Sequence, residues 1–189
     1  MDISSPGAIP RSYGYPSQLS STEMHYLQYH VEQGSKLLAN LETDENPLRA
    51  LIIPKALSSP LLLKAVCAVS AMHLTNRSHD SLRTSTTAAD YYAQALRGLR
   101  TTLAEQPSST FRDDTMLAVA FLCKYEIVRG SVKQWTVHLD ALQKLVISRG
   151  GLASIDKETA EFLSGMYALP YLWHTMTLCS FLSGSCTPP

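Results

Sequence analysis

Side chains that could carry out chemistry are present in this chain, but their spacing matches no metal-binding pattern. The four cysteines form no C-x-x-C motif, and none lies near a histidine pair at metal-ligand spacing, so zinc binding is not expected. No two histidines share a helical face at i, i+4 spacing, and we interpret them as surface or boundary side chains rather than ligands or general bases. The histidines are His25, His30, His73, His79, His138 and His174.

Two adjacent aspartates, Asp113 and Asp114, invite comparison with the aspartate-rich motif of all-helical terpene synthases. The D-D-x-x-D pattern fails because the required third aspartate is replaced by Leu117. Carboxylates stabilise the positive end of a helix, so we interpret the pair as first-turn residues. The G-x-S-x-G and G-x-x-x-x-G-K-[ST] signatures of serine hydrolases and nucleotide-binding proteins are also absent. We therefore predict a protein that is not an enzyme and uses no cofactor or metal.

The composition indicates one folded domain without a long-range electrostatic field. The 189 residues include 16 basic and 16 acidic side chains, so the formal charge is zero. Basic residues are spread singly, and direct nucleic acid contact is therefore not expected. Hydrophobic residues make up 45% and charged residues 17%, which is too apolar for a disordered chain. Cys67 and Cys123 lie in apolar helical runs and are predicted to be buried, reduced thiols of an intracellular protein.

The pattern of apolar residues predicts an all-α fold, an array of about seven antiparallel helices with no sheet. Alternation with a period of two is nowhere sustained, whereas apolar residues recur at helical spacing. Residues 1–19 are rich in proline, glycine and serine, and we predict a disordered leader there. Residues 20–189 then form one helical domain. Ser20 and Glu23 have the spacing of a capping box and begin the first helix.

Caps and prolines predict where the second and third helices begin. Asn46 and Pro47 begin the second helix. Pro54 should keep it short, because proline lacks the amide hydrogen that a helix interior needs. Ser59 and Pro60 begin a third helix, which is apolar almost all round and must therefore be central.

A polar stretch separates the central helix from a fourth helix. We expect the central helix to end at Asn76, because residues 77–87 do not continue its apolar pattern. Apolar residues then recur every three or four positions, which predicts a fourth helix that Pro107 ends.

The fifth and sixth helices are predicted to form an antiparallel hairpin. The fifth follows Asp113 and closes at Gly130, and the sixth stops at Gly150 and Gly151. Their facing stripes carry four large side chains that would line either the core or an effector cavity. Core is the default interpretation, because apolar stripes usually pack on one another. The four candidates are Phe121, Tyr125, Trp135 and Leu139.

A seventh helix is predicted to begin at Asp156 and to kink at Pro170. Residues 162–189 contain no charged side chain, which makes a C-terminal membrane anchor an alternative. Serines, threonines, a histidine and a proline dilute this segment, and no basic flank follows it. We therefore expect it to be buried between helices, and a membrane is not the expected partner.

Five segments, read together, resemble the fungal-specific transcription factor domain, the helical regulatory region that usually follows a six-cysteine binuclear zinc cluster. They occur in the family's order over most of the chain. The proline in the second helix and a tryptophan helix that ends in Arg-Gly-Gly make the set specific. The segments are His25 to Tyr29 (HYLQY), Asn46 to Leu57 (NPLRALIIPKAL), Ser59 to Leu74 (SPLLLKAVCAVSAMHL), Tyr91 to Leu99 (YYAQALRGL) and Trp135 to Gly151 (WTVHLDALQKLVISRGG).

The resemblance implies a regulatory role in the nucleus, through effector sensing, partner binding or dimerisation. A protein partner or self-association is then expected, and any effector would be a small apolar molecule. The chain has no six-cysteine cluster and no basic linker, so the family's DNA-contacting residues have nothing here to map onto. We expect it to hold only the first part of the family's long helical region. The alternative is a helical scaffold that binds a protein partner outside transcription.

Overall fold

Every regular element of the described structure is a helix or a helical turn. The computed structural model describes residues 19–38, 46–77, 81–105 and 111–166, and no strand occurs in these ranges. Counted as rods, with α1 to α2 continuous and α3 joined to α4, these ranges contain seven helical rods, and the predicted all-α array is confirmed. The elements are α1 (Ser21–Tyr29), a π-helical turn (His30–Gly34), α2 (Ser35–Leu38), α3 (Pro47–Ala50), α4 (Ile52–Ser58), α5 (Pro60–Arg77), α6 (Ser81–Glu105), α7 (Asp113–Arg129), α8 (Val132–Arg149), a 3-10 turn (Leu152–Ser154) and α9 (157–166).

Helix α5 lies at the centre of the array, as its apolar sequence predicts. It packs against α1, α4, α6 and α7. Helix α7 is buried along most of its length, and Phe121 is the largest of the fully buried side chains. Leu142 of α8 and Leu163 of α9 are also fully buried and join the same apolar cluster. One continuous core therefore holds the described helices together.

The first helix begins where the capping box predicts. The Ser20 hydroxyl accepts the Glu23 N–H at 3.2 Å, and the Glu23 carboxylate accepts the Ser20 N–H at 2.8 Å. The other Glu23 oxygen pairs with Lys64 Nζ at 2.6 Å. The same carboxylate thus begins α1 and attaches it to the central helix α5.

A π-helical turn follows α1, and sequence periodicity alone does not predict it. Its first residue, His30, is fully buried and lies against the Phe121 ring at a centroid distance of 5.8 Å. A Cβ at Gly34 would lie only 3.3 Å from His30 Nδ1, so the glycine leaves room for the imidazole. The wider turn and the glycine together accommodate this buried ring.

The second helix is short, as predicted, but the chain becomes helical again around its proline. Helix α3 ends at Ala50, four residues before Pro54, because proline has no N–H to donate to the Ala50 carbonyl. Pro54 then lies in the first turn of α4, where no intrahelical donor is needed. The break therefore falls at Leu51 rather than at the proline itself.

The predicted polar connection over residues 77–87 is wrong for most of its length. Helix α5 continues to Arg77, one residue beyond the predicted end, and α6 already begins at Ser81. Serine and threonine are only weakly unfavourable in a helix. Once packing holds one part of a helix in place, the adjacent residues of the chain join it easily, because each adds a hydrogen bond. The anchor is near, because Ala88 is fully buried. Helix α6 ends at Glu105, shortly before the predicted stop at Pro107.

Helices α7 and α8 form the predicted antiparallel hairpin. Helix α7 ends at Gly130, whose φ of 83° is a left-handed conformation that glycine adopts without strain. Helix α8 ends in the same way at Gly150, with a φ of 109°. Asn76 of α5 donates its side-chain amide to the Val128 carbonyl at 2.8 Å and so closes the last turn of α7.

Helix α9 begins at the predicted cap, because Asp156 Oδ1 accepts the Thr159 N–H at 2.9 Å. Its described turns bury Leu163 and Met166. The kink at Pro170, the fate of the uncharged segment beyond residue 166 and the leader over residues 1–18 lie outside the described residues. Within the described ranges, no helix has the length and hydropathy that a membrane crossing requires.

Two cysteines have the buried environment that their apolar context predicts. Cys67 and Cys123 are free thiols with no exposed surface. Burial raises the pKa of each thiol to about 12, so both are protonated and unreactive at neutral pH. Cys179 and Cys186 lie outside the described residues.

Candidate functional site

The four candidates for a core or an effector cavity lie at the α7–α8 hairpin. Phe121 and Tyr125 of α7 are buried, with 0% and 3% of their surfaces exposed. Trp135 and Leu139 of α8 are partly buried and pack against the same core. The structure thus brings all four to one apolar cluster, and the choice between core and effector cavity stays a prediction.

A polar cluster lies beside these side chains and joins α6, α7 and α8. The Tyr92 hydroxyl of α6 lies 2.8 Å from His138 Nε2 of α8. The Tyr92 ring also stacks on Tyr125 of α7, with centroids 4.3 Å apart and planes 18° apart. Through one tyrosine, helix α6 therefore contacts both helices of the hairpin.

The negative charge of this cluster comes from Glu126, which is 1% exposed. Its Oε2 atom has no hydrogen bond, and Arg129 Nη1 lies 3.7 Å away. Burial, followed by a hydrogen bond to Glu126, raises the pKa of Tyr92. Burial lowers the pKa of His138, so at neutral pH this ring is neutral and hydrogen-bonded.

Sequence reasoning did not single out Tyr92, Glu126 or His138 as a group. His138 lies three residues after Trp135 and four before Leu142, and its ring is partly buried at the boundary of the packed face of α8. This spacing from Trp135 and Leu142 is the sequence signal that places His138 next to the packed face of α8. The pairing with Tyr92 could not be predicted, because it depends on how α6 crosses the hairpin.

We expect Tyr92→Phe to lower the free energy of unfolding by about 1 to 3 kcal/mol, because it leaves the buried Glu126 carboxylate and His138 without their shared partner. Tyr125→Phe is the matched control, since it removes a hydroxyl from the stacked ring and keeps the Tyr92 contacts. Urea unfolding measures both variants. Equal losses for the two variants would show that the cluster contributes nothing specific.

The family comparison joins this geometry to a known class of proteins. The family model for the fungal-specific transcription factor domain matches residues 25–184, which is most of the chain. The chain belongs to this family. No curated protein and no solved structure matches it significantly. As a member of a transcription factor family, this fungal-specific transcription factor domain has a regulatory role, and the family is not typically enzymatic.

Ion pairs and a hydrogen bond at the Arg-Gly-Gly turn of this transcription factor domain connect α7 and α8 with α4 and α9. Arg149 Nη1 at the end of α8 lies 3.4 Å from Asp113 Oδ1 at the start of α7. The other Asp113 oxygen accepts the N–H of Asp156 at 3.1 Å. Lys55 of α4 pairs with Asp156 Oδ2 at 2.9 Å. The turn therefore joins both ends of the hairpin to α4 and α9.

The pKa values of the two carboxyl groups of this cluster, Asp113 and Asp156, are shifted in opposite directions. Burial and a hydrogen bond to Asp156 raise the pKa of Asp113. Burial opposes ionisation of Asp156 too, but hydrogen bonds from Asp113, Thr159 and Lys55 outweigh it and lower the pKa of Asp156. Asp113 thus has the first-turn position predicted for it, and its partners are protein side chains. Within the described ranges, no group of three or more histidine, cysteine or acidic residues is placed to hold a metal ion.

Helix α8 of this transcription factor domain is packed on one side. Its main packing partner is α7, and it also contacts the 3-10 turn and Tyr92 of α6. Three large apolar side chains on α8 face solvent, with exposed fractions of 55 to 65%: Val132, Val137 and Ile147. Single exposed apolar side chains are normal on a surface, but Val137 and Ile147 share the outer face of α8, opposite Leu142, whereas Val132 lies outside that face.

Proposed function

We propose that this domain regulates transcription in the nucleus by binding another protein through the outer face of α8. The observation that carries the proposal is the exposure of large apolar side chains on a helix whose opposite face packs on α7. Family membership supports the transcriptional role. The formal charge of zero disfavours direct contact of this region with DNA.

The outer face of α8 is a strip of five residues. They follow one another at intervals of four, three, four and three on the side opposite Leu142, so they share one face of the helix. We call these five residues the α8 surface. They are Lys133, Val137, Asp140, Lys144 and Ile147.

The chemistry of the α8 surface defines the partner further. Val137 and Ile147 provide apolar contacts, and Lys133, Asp140 and Lys144 add charges of both signs along the same face. Lys144 pairs with Asp140 at 2.7 Å, but both side chains are mostly exposed, so this ion pair stabilises α8 little and is free to exchange. An amphipathic helix with a narrow apolar stripe and flanking charges of both signs would complement this surface.

A tethered reporter assay tests the proposal. The full chain, fused to an unrelated DNA-binding module, should change reporter output relative to that module alone. Val137→Glu with Ile147→Glu should return the output to the level of the module alone, because two carboxylates would have to be buried against the partner's apolar stripe. The matched control, Thr101→Glu with Leu103→Glu, places the same charges on exposed positions of α6.

Thermal unfolding must show that both double variants are as stable as the parent chain. Light scattering then shows whether the partner is a second copy of the same chain. Full reporter output from the folded α8 variant would refute the proposal. Equal loss in the α6 control would also refute it, because the effect would not depend on the α8 surface.

A further inference from the structure

A cleft of about 520 Å³ lies between α3 and α9, on a different part of the domain from the α8 surface. Its size is in the range of clefts that hold small organic molecules. Four of its six described lining residues are apolar, and of these Leu51 is buried and Phe162 lies on α9. Its described lining residues are Pro47, Ala50, Leu51, Glu158, Glu161 and Phe162.

The polar side chains of this lining all carry one sign of charge. Glu158 and Glu161 lie one turn apart on α9, and no basic side chain is among the described lining residues. Glu158 is exposed and has no ion pair or hydrogen bond with the residues that the structure describes. Glu161 has a long contact of 3.9 Å with Lys157, and both side chains are mostly exposed, so this pair contributes little.

A second cation lies close to the cleft without lining it. Lys124 Nζ lies 5.9 Å from the centroid of the Phe162 ring. Burial lowers the pKa of this lysine to about 8, so part of its charge is lost just above neutral pH. Lys124 keeps most of its charge at neutral pH, and Arg49 of α3 adjoins the lining residue Ala50 in the sequence, so among the described residues the negative charge at the cleft is confined to the two carboxylates that line it.

We propose that this cleft binds a small apolar molecule that carries one positive charge, such as an arylalkyl amine. The apolar body would contact Leu51 and Phe162, and the ammonium group would pair with Glu158 and Glu161. Two carboxylates attract a cation and repel an anion of the same shape, which is the source of the selectivity. The proposal does not depend on the α8 surface, because α3 and α9 form the cleft.

Three probes that differ only in their polar group test this selectivity on the full chain. The probes are 4-phenylbutylamine, 4-phenylbutanol and 5-phenylpentanoate, in which four methylene groups join the ring to the polar group, titrated at low salt, where charge pairs are least screened. The dissociation constants come from calorimetry, and backbone amide shifts locate the site. We expect saturable binding of the amine, about tenfold tighter than the alcohol and tighter still than the carboxylate, with shifts at residues 50, 51 and 162.

Three variants separate the charge from the shape of the cleft. Glu158→Gln with Glu161→Gln should weaken the amine about tenfold and leave the alcohol unchanged. Ala50→Trp places an indole in the cleft at an exposed position and should abolish binding of all three probes. Glu105→Gln removes an exposed carboxylate at the end of α6 and should leave every affinity unchanged.

Several results would overturn the proposal. These are no binding of the amine, equal affinities for the three probes, amine binding that survives Ala50→Trp in a folded variant, and amide shifts away from α3 and α9. None of these results bears on the reporter assay, so this site and the α8 surface can fail separately.

Discussion

Phe121→Ala should lower the free energy of unfolding by about 3 to 5 kcal/mol, the largest loss expected for a single substitution in the core. The ring has no exposed surface and packs against the buried His30 imidazole. The substitution therefore removes apolar contact and leaves a cavity that fixed helices cannot close. Urea unfolding followed by far-UV circular dichroism measures the loss.

Trp135→Ala tests whether the face of α8 that carries Trp135 packs against the core. Trp135 is only partly buried, so part of its ring stays in water in the folded state. We expect it to cost less than Phe121→Ala, because water and neighbouring side chains can occupy the space that a partly exposed side chain leaves, so the cavity contribution is small. A loss below about 1 kcal/mol for Phe121→Ala would contradict the central position of α7 in the core.

Acidification from pH 7 to pH 5 should lower the free energy of unfolding by about 2 kcal/mol through His30 alone. Burial lowers the pKa of this fully buried imidazole to about 4 from an ordinary value of 6.5, despite an opposing hydrogen bond to the Leu48 carbonyl. The unfolded chain therefore binds more protons than the folded chain between pH 6.5 and 4. The contribution of His30 to the free energy of unfolding is therefore fully present above pH 6.5 and is lost as the pH falls from 6.5 to 4.

The geometry around His30 explains why protonation is unfavourable. Its Nε2 atom lies 3.0 Å from the Leu48 carbonyl, which only accepts, so Nε2 carries the proton of the neutral ring. Nδ1 then accepts from the Ser70 hydroxyl at 3.5 Å. A second proton on Nδ1 would bury a net charge in the core, which is the main reason that protonation is unfavourable. Burial also lowers the pKa values of His73 and His138, so they change stability in the same direction.

Urea unfolding at pH 7, 6 and 5 measures the total pH effect, and NMR titration of the histidine Cε1–H signals assigns it. The His30 signal should not titrate above pH 5 in the folded chain. His30→Gln keeps one donor and one acceptor and should remove the His30 share of the pH dependence, about 2 kcal/mol between pH 7 and 5, leaving only the contributions of the other titrating groups. A His30 signal that titrates near pH 6.5, or a stability that is constant from pH 7 to 5, would contradict this account.

Local signals determined most of the helix limits, because each depends on a few neighbouring residues. Ser20 and Glu23 cap α1, Gly130 ends α7 and Asp156 begins α9 as their types and spacing predict. The family also follows from the sequence, and the family match agrees with the resemblance. The predicted polar connection before α6 failed for a related reason: serine and threonine are weak signals, which packing near Ala88 overrides.

The sequence by itself determined the all-α class, the order of the helices, most of their ends and the apolar stripes that form the core. Only the tertiary structure decided which polar groups meet. The Tyr92–His138 hydrogen bond joins residues 46 positions apart, and the Arg149–Asp113 pair joins residues 36 positions apart. Helix periodicity specifies which face of a helix is buried, but it does not specify the crossing of two helices, which results from side-chain packing over the whole core.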